Sequence, residues 1–272
     1  MIYETPLELI GNTPVVKYKN IYIKLEGYNL TNSIKDRSAL SVILNNLDQE
    51  KTLVASTSGN FGISLSCIAA NLKQRLIVIM PKGSTLKKQI MEQFGATVIE
   101  TNQEEGMQGT VKKLKEFRNE NYKIINQFTT LYNPLGYVSL VKEIVKDFKK
   151  LDYVIVGVGS AGTCYTLTRC LKKVFTNIRI VGVEPIENDL IDGIGSNTKW
   201  GIKNRIKDLN IYKVSELDAN NKTKELLKEG YNVGISTGAN IYVAEKIKKE
   251  NPNAIILVIS ADNSYKYSDR FV

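Results

Sequence analysis

Residues 52–73 read TLVASTSGNFGISLSCIAANLK, and this stretch contains a strand, a turn and a helix in direct succession. The run 52–56 has consecutive apolar residues at its centre, which predicts a strand covered on both faces. Small and hydroxyl-bearing residues between Ser56 and Gly62 predict a tight turn. From 60 to 73 the apolar residues follow a helical period. A strand that leads into a helix through a short turn is the repeating unit of α/β proteins with parallel sheets.

The same alternation recurs along the rest of the chain, which predicts an α/β fold. Further strand-like runs rich in valine and isoleucine lie at 21–25, 76–80, 96–100, 122–126, 153–157, 178–183 and 254–259. Further helix-like stretches lie near 36–48, 85–94, 106–120, 137–150, 163–175, 221–230 and 239–250. Residues 188–212 show no clear period, and we expect a loop near a functional site there because long irregular connections are usually functional.

Composition limits the classes of protein to which the chain can belong. With 272 residues, of which 43% are hydrophobic and 24% charged, it has the balance of a globular protein large enough for two cores. No apolar run approaches the roughly 18 residues of a membrane span, and the N-terminus lacks the features of a signal peptide. The net charge of +9 comes from lysines mixed with glutamates on helix faces. We therefore predict a cytoplasmic protein that binds neither membranes nor nucleic acid.

The chain contains no histidine, which excludes histidine-based catalytic triads and histidine metal sites. Its three cysteines cannot all pair and form no C-x-x-C motif, so we expect reduced thiols and no metal centre. Acid–base chemistry must therefore use lysine, a carboxylate, tyrosine, cysteine or a cofactor.

Two glycine-containing turns open helices directly after predicted strands. They are STSGNFG at 56–62 and GVGSAGT at 157–163, and backbone amides at such a helix start can hold an anion. The second turn also matches the glycines of G-x-G-x-x-G but lacks a clear acidic partner, so dinucleotide binding stays open. Two weaker candidates are GISTGAN at 234–240, before a helix, and INQ at 125–127, at a strand end.

A single lysine, Lys35, stands at the start of a predicted helix in KLEGYNLTNSIKDR, residues 24–37. The turn-forming residues 29–33 precede it directly. A phosphorylated cofactor that condenses with an amine requires a particular set of features. The set consists of a lysine displayed in this way, two anion-holding turns and a hydroxyl-bearing turn.

These segments resemble the signatures of the cysteine synthase and cystathionine β-synthase family, the fold-type II enzymes that depend on pyridoxal phosphate. IGNTP at 10–14, the lysine segment, STSGN, GVGSAGT and GISTG occur in that family's order and at similar spacings over nearly the whole chain. The resemblance implies two parallel-sheet, three-layer domains of the tryptophan synthase β type. The smaller domain would comprise residues 36–135, and the larger would comprise 1–35 and 136–272.

The resemblance also assigns residues to the cofactor and the substrate. Lys35 would carry pyridoxal phosphate as a Schiff base and later act as general base, Asn60 would hydrogen-bond the 3′-oxygen of the ring, and Ser236 would face the pyridine nitrogen. The residues that would hold the phosphate are Gly159, Ser160, Ala161, Gly162 and Thr163. The substrate-binding residues, most of them around the α-carboxylate, would be Thr57, Ser58, Gly59, Phe61, Gln127 and Gly193.

The reaction implied by the resemblance is β-replacement on an activated L-serine through an aminoacrylate, with O-acetylserine and sulfide giving L-cysteine and acetate. An O-phosphoserine-dependent synthase with an amino-acid nucleophile and a cysteine-consuming lyase or lanthionine synthase stay open within the family. A nicotinamide-dependent oxidoreductase and a non-catalytic binding protein are the alternatives outside it. Members usually form homodimers, which we expect here, and some bind the C-terminus of serine acetyltransferase, which stays open.

Several positions depart from the family pattern. Thr31 and Asn32 stand where members have Gly-Gly, and Phe61 stands where they have threonine. The segment GYVSLVKEI at 136–144 replaces one of the form H-x-x-T-T-G-P-E-I, and DNSYKY at 262–267 replaces D-S-G-E-R-Y. These departures bear on the substrate and the second nucleophile more than on the cofactor.

Overall fold

The computed structural model describes residues 2–57, 59–195, 201–207 and 209–270, and it divides the chain into two compact units. Unit 1 comprises the chain up to Ile10 and Lys35–Gly136. Unit 2 comprises Gly11–Ile34 and the chain from Tyr137 onward. Unit 1 differs from the predicted smaller domain mainly in the first ten residues, because Leu7 and Ile10 pack on the apolar core of unit 1.

The described strands, in chain order, are β1 (Val15–Tyr18), β2 (Ile21–Leu25), β3 (Thr52–Ser56), β4 (Leu76–Pro81), β5 (Thr97–Thr101), β6 (Tyr122–Ile125), β7 (Tyr153–Gly157), β8 (Arg179–Pro185), β9 (Asn210–Val214) and β10 (Ile256–Ser260). The α-helices are α1 (Lys35–Leu44), α2 (Asn60–Asn71), α3 (Thr85–Gln93), α4 (Gly106–Leu114), α5 (Tyr132–Leu135), α6 (Val138–Asp147), α7 (Gly162–Leu171), α8 (Glu216–Lys228) and α9 (Ile235–Glu250). Short 3-10 helices lie at Pro6–Leu9, Glu26–Tyr28, Lys115–Phe117, Gly201–Arg205 and Ser264–Arg270.

Unit 2 contains a six-stranded sheet in the order β1-β2-β10-β7-β8-β9. Neighbouring strands are parallel except for the antiparallel β1–β2 pair at one edge. Alternate residues of a strand face opposite sides of the sheet. Ile155 and Val258 therefore lie in a core with α8 and α9, whereas Val154 and Leu257 lie in a second core with α6 and α7. Unit 2 is thus a three-layer α/β/α structure.

Unit 1 contains a four-stranded sheet in the order β5-β4-β3-β6, with every pair parallel. Residues of β3 and β4 form an apolar core with α1 and α2 that includes Leu53, Leu65 and Met80. Helix α4 also packs against β3 and β4, and there the hydroxyls of Ser56 and Thr110 lie 2.6 Å apart. Both units therefore confirm the predicted α/β class. No described helix has the length and apolar content needed to cross a membrane.

Strands β1 and β9 and the start of helix α8 are among the elements that differ from the sequence prediction. The pattern predicts neither β1 nor β9, because each is short and β9 overlaps the stretch 188–212 that has no clear period. Since Asn210–Val214 pairs with β8, the prediction of a loop is wrong at the end of that stretch. Helix α8 begins at Glu216 rather than near 221, because the Ser215 hydroxyl caps it by accepting a hydrogen bond from the Asp218 amide.

Parallel strands bring the predicted site segments to one edge of each sheet. In unit 2 the neighbours β2, β10, β7 and β8 all end at the same edge. In unit 1 the neighbours β3 and β6 do the same. Ligands of open parallel sheets bind outside these carboxyl ends. The segments that leave the two edges are 26–34, 261–267, 158–161 and 186–195 in unit 2, and 57–59 and 126–131 in unit 1.

The Glu225 carboxylate on α8 accepts three hydrogen bonds at the surface of unit 2. Its donors are the amine of Lys222 at 2.5 Å, the hydroxyl of Tyr18 at 2.9 Å and the amine of Lys19 at 3.2 Å. The hydrogen bond from Lys222 is the largest of the influences that lower the pKa of Glu225 from 4.5 to about 2. Ionised Glu225 therefore stabilises the fold fully above pH 4.5, and this contribution is lost as the pH falls toward 2.

The variant Glu225→Gln is expected to be less stable than the wild type at pH 6 and to approach it as the pH falls from 4.5 toward 2. The Glu225 side chain is 40% exposed, so the difference should stay below about 1 kcal/mol. Urea unfolding over this pH range measures it. Glu229, which is exposed and forms no ion pair with the described residues, provides the control variant Glu229→Gln. A difference between Glu225→Gln and wild type that does not change with pH would contradict this interpretation.

Candidate active site

The lysine loop, residues 26–34, is fastened at its start by buried polar groups of unit 2. The Glu26 carboxylate is 0% exposed and accepts hydrogen bonds from the Thr13 hydroxyl at 2.6 Å and the Asn29 amide at 2.9 Å. The Asn29 side chain in turn accepts a hydrogen bond from the backbone amide of Gly11 at 2.8 Å. Removing one of these buried partners would leave another polar group unsatisfied, at a cost of about 1–3 kcal/mol. The IGNTP segment therefore holds the lysine loop in place.

The middle of the lysine loop contains one residue in the left-handed region. Asn32 has a φ of 58°, and its backbone amide donates to the carbonyl of Asn29 at 2.9 Å. Its side-chain amide donates to the carbonyl of Gly27 at 3.1 Å. Asparagine adopts this conformation more readily than most other residues with a side chain. The chain therefore keeps the turn although Thr31 and Asn32 replace the Gly-Gly of the family pattern.

The variant Asn32→Ala is expected to lower the free energy of unfolding by about 1–2 kcal/mol, because alanine is strained at this positive φ. The variant Asn32→Gly should stay within about 0.5 kcal/mol of the wild type, because glycine adopts this φ without strain. Urea unfolding of both variants checks the pair. Equal destabilisation by alanine and glycine would assign the effect to the lost side-chain hydrogen bond instead of the backbone.

Lys35 is the first residue of α1 and is half-buried. The next two residues are more deeply placed, since Asp36 is 0% and Arg37 2% exposed. The Ser38 hydroxyl donates to the Lys35 carbonyl at 3.1 Å within the first turn of the helix. The backbone at Lys35 is therefore fixed in the first turn of α1.

The turn after β3 leads into α2 without a side-chain cap. Thr57 is buried at its start, and Gly59 occupies the N-cap position, where it makes no side-chain hydrogen bond. The N-cap residue therefore offers no side chain to the first amides of α2. Backbone amides at a helix N-terminus favour an anion. Ser58, the remaining predicted residue of this turn, lies outside the described residues.

Phe61 and Gln127 lie near the carboxyl ends of β3 and β6 in unit 1, and they offer different groups to a ligand. The Phe61 side chain is 3% exposed and packs in the apolar core, so its backbone amide is the group that remains for a ligand. Ala55 pairs with Ile125 in the sheet, and Thr57 and Gln127 each stand two residues beyond that pair. Adjacent strands lie about 4.8 Å apart. The register therefore brings Thr57 and Gln127 to the same level of the edge.

The loop between β7 and α7 has the donor groups of a phosphate site. Ala161 precedes the first turn of α7 with a φ of 64° and provides no side-chain cap. Ser160 and Thr163 are each 8% exposed and carry hydroxyls at this helix start. The segment 159–163 offers backbone N–H and hydroxyl donors and contains no carboxylate. Such a donor set matches the oxygen atoms of a phosphate group.

Gly159 allows a close approach of two backbone segments in unit 2. A Cβ atom at Gly159 would lie 2.5 Å from the carbonyl oxygen of Gly193. The Gly195 amide donates to the carbonyl of Val158 at 2.8 Å, so residues 191–195 lie directly against the loop. Gly193, which is predicted to bind substrate, therefore packs against the loop between β7 and α7, the candidate phosphate site of the same unit.

Helix α9 begins at Ile235, four residues before the predicted start at 239. Ser236 consequently lies in the first turn of the helix instead of in a preceding turn, and it is 4% exposed. The neighbouring Thr237 hydroxyl donates to the hydroxyl of Ser260 at 2.9 Å. This contact fixes the helix start against the end of β10.

Glu184, near the end of β8, is the acidic residue that could bind the ribose in a dinucleotide site. Burial raises the pKa of its carboxyl, but hydrogen bonds from Lys203 and from Lys213, the latter at 2.8 Å, outweigh burial and hold the pKa below its usual range. Glu184 is therefore ionised and already occupied by two ammonium groups. A ribose would have to displace them, which argues against a dinucleotide site.

One group of residues at this edge of unit 2 was not predicted from the sequence as part of the site. The segment 261–267 follows β10 and contacts the lysine loop, for example through the Lys266 amine, which donates to the carbonyl of Thr31 at 2.7 Å. In the sequence it stands out only as the departure DNSYKY. Its position after the last strand could have suggested the contact, because β10 is the parallel neighbour of β2 in a sheet of this kind.

The family model described as "Pyridoxal-phosphate dependent enzyme" matches residues 6–262 of the chain. The chain belongs to this family. Its cofactor is pyridoxal phosphate, and the predicted family, fold class and enzyme class are confirmed. The donor set of segment 159–163 and the half-buried lysine at the start of α1 fit this cofactor, which carries a phosphate and an aldehyde.

The relatives of this pyridoxal-phosphate enzyme include cysteine synthases. The chain is 36% identical over 290 residues to cysteine synthase B of Campylobacter jejuni, covering 98% of this chain and 97% of the relative. The structure of O-acetylserine sulfhydrylase isoform 3 from Entamoeba histolytica matches with a TM-score of 0.93 and 28% identity, covering 99% of this chain and 91% of that chain. A hydrogen sulfide-producing enzyme from Fusobacterium nucleatum matches with a TM-score of 0.92 and 34% identity, covering 98% and 100%. The enzyme is therefore of the cysteine synthase type.

Proposed function

We propose that this enzyme makes L-cysteine from O-acetylserine and sulfide. The observation that carries the proposal is the 36% identity to a cysteine synthase B over 98% of the chain. In the balanced reaction, the bond between the β-carbon and the acetate oxygen breaks, and a bond between that carbon and sulfur forms. Acetate leaves with the electron pair, and hydrosulfide supplies the new one.

We propose that Lys35 binds the cofactor covalently through its amine and that segment 159–163 binds the phosphate. The uncapped start of α7 and the hydroxyls of Ser160 and Thr163 support the second assignment. Asn60 would donate to the ring 3′-oxygen. The Ser236 hydroxyl would face the ring nitrogen as a neutral group, which leaves that nitrogen unprotonated and suits β-replacement better than transamination.

The amino-acid carboxylate is proposed to bind at the start of α2. Backbone amides at the start of α2, where Gly59 provides no side-chain cap, and the hydroxyl of Thr57 would donate to it, and Gln127 stands at the same level of the sheet edge. Ser58 and Gly59 are also proposed to bind this carboxylate. Gly193 is proposed to contribute from its position against the phosphate-binding loop.

When bound, pyridoxal phosphate withdraws electrons from the substrate α-carbon and so makes its proton easier to remove. Lys35 would accept this proton on its Nζ and return it to the same carbon after sulfur has added. A positioned general base of this kind contributes about 10²–10⁴-fold to the rate. The backbone of Lys35 is fixed in the first turn of α1, and from there its amine would both bind the cofactor and move the proton.

The proposed substrate is tested by supplying purified, cofactor-loaded enzyme with three donors in separate reactions. O-Acetylserine with sulfide should give cysteine at least about tenfold faster than O-phosphoserine with sulfide, and cysteine alone should release little sulfide. Faster turnover of O-phosphoserine, or sulfide release from cysteine as the dominant reaction, would overturn the proposal. Dominant release of sulfide from cysteine would instead indicate an activity like that of the hydrogen sulfide-producing relative.

We propose further that the enzyme is a homodimer in a reducing compartment such as the cytoplasm. All three cysteines are free, and burial raises the pKa of the Cys164 thiol to about 12, which keeps it protonated and unreactive. Sedimentation analysis should give twice the chain mass. Binding of a serine acetyltransferase C-terminal peptide to this enzyme can be tested in the same preparation.

A further inference from the structure

The segment after β10, residues 261–267, holds the end of the lysine loop on one side. Ile34, the residue before Lys35, donates its amide to the carbonyl of Ala261 at 2.8 Å. Ser33 and Asp262 form an isolated antiparallel bridge. With the hydrogen bond from Lys266 to the Thr31 carbonyl, these contacts fix three of the four residues that precede Lys35.

The same segment holds the start of α9 on its other side. The Gly234 amide donates to the carbonyl of Asp262 at 3.1 Å. A Cβ atom at Gly234 would overlap the Asp262 carboxylate, so the backbone and this side chain are in close contact. Ser264 donates to the side chain of Asn232 from its backbone amide at 3.1 Å and from its hydroxyl at 2.8 Å. Residues 232–237, which lead into the first turn of α9 and include Ser236, are thus tied to Asp262 and its neighbours.

Asp262 is itself held rigidly. It is 4% exposed, and its carboxylate accepts a hydrogen bond from the Tyr267 hydroxyl at 2.5 Å. Tyr267 is 3% exposed and lies against the same face of Gly234. A buried, hydrogen-bonded side chain transmits displacement instead of absorbing it, because protein interiors are close-packed.

We propose that Asp262 is a positioning residue that holds the end of the lysine loop at a fixed distance from the first turn of α9. This inference rests on the proposed function, in which Lys35 and Ser236 serve opposite ends of one rigid aromatic ring. Such a ring tolerates little change in the separation of its two supports, and displacements of about 1 Å at a site can reduce rates about 10²-fold. Asp262 would act through both turns without touching the reacting atoms.

The first test uses hydrogen exchange on the cofactor-free protein, so that it does not depend on activity. In Asp262→Ala, peptides covering residues 29–36 and 232–240 should both exchange at least about tenfold faster than in wild type. Tyr265→Ala is the matched control, because Tyr265 lies in the same segment and is 68% exposed, and it should leave both peptides unchanged. A change confined to one peptide, or to neither, would overturn the proposal.

The second test uses rescue. Gly234→Ala should lower the affinity for pyridoxal phosphate at least about tenfold, because the new Cβ displaces the Asp262 carboxylate. Gly234→Ala combined with Asp262→Ala should bind better than Gly234→Ala alone, since the double variant removes the overlap. The proposal would be contradicted if the fold-reduction in affinity of the double variant equalled the product of the fold-reductions of the two single variants.

The readouts separate this inference from the proposed function. If wild-type protein forms no covalent link between pyridoxal phosphate and Lys35, the proposed function fails, whatever Asp262 does. If the link forms in wild type, and Asp262→Ala forms it at the same rate with the same absorption spectrum, the positioning role of Asp262 is wrong while the proposed function stands.

Discussion

Replacing Lys35 with alanine is expected to lower kcat for cysteine formation at least about 10³-fold and to abolish covalent attachment of pyridoxal phosphate. The physical reason is that Lys35 is proposed both to bind the cofactor covalently and to move the α-proton, and a positioned base alone contributes about 10²–10⁴-fold. Steady-state kinetics and the absorption band near roughly 410 nm of the lysine-bound cofactor measure the two losses.

Two further variants separate the amine chemistry of Lys35 from its charge. Lys35→Arg keeps a cation at the start of α1 but should be as inactive as Lys35→Ala, because guanidinium does not lose its proton at neutral pH. Lys172→Ala removes an exposed lysine of unit 2 and should retain wild-type kinetics and absorption. Substantial activity in Lys35→Arg would mean that Lys35 provides charge alone, and the assigned role would then be wrong.

Replacing Gly159 with alanine is expected to weaken binding of pyridoxal phosphate about 10- to 100-fold. The added Cβ would lie 2.5 Å from the Gly193 carbonyl oxygen, and both atoms belong to backbone segments that cannot turn aside as a side chain can. Overpacking of this kind costs about 1–3 kcal/mol, and each 1.4 kcal/mol is tenfold in affinity. Titration of the cofactor-free protein with pyridoxal phosphate measures the change.

A core variant controls for a general loss of stability in Gly159→Ala. Leu226 is fully buried in unit 2, on α8, and Leu226→Ala should destabilise the fold by about 2–5 kcal/mol. It should nevertheless bind the cofactor within about threefold of wild type at a temperature where both are folded. If Gly159→Ala binds the cofactor normally, the phosphate does not lie at segment 159–163.

Many strands, helices and turns could be predicted because the apolar pattern and the turn residues of each segment specify them. The run 52–56 and the glycine turn after it specify β3 and the start of α2, and no tertiary information is needed to read them. The start of α8 was mispredicted because one hydrogen bond, to the Ser215 hydroxyl, extends the helix beyond its apolar period. The short strand β9 forms because β8 offers it a partner, which no local pattern contains.

The motifs of the candidate site could be recognised in the sequence, but the contacts between them could not be predicted. Lys35 and segment 159–163 stand out as sequence signatures, and the match over residues 6–262 confirms the family that these signatures predicted. The approach of Gly159 to Gly193, and the contacts of Asp262 with Ser33 and Gly234, join residues far apart in the chain. Such contacts depend on the strand order β2-β10-β7-β8, which periodicity does not reveal.

Locating the cofactor on the wild-type protein tests most directly whether Lys35 binds pyridoxal phosphate. The protein is loaded with pyridoxal phosphate, reduced with borohydride, digested and mapped by mass spectrometry. One cofactor per chain is expected on the peptide that contains Lys35, with none on peptides that contain other lysines. A stoichiometric label on another lysine, with Lys35 unmodified, would contradict that expectation.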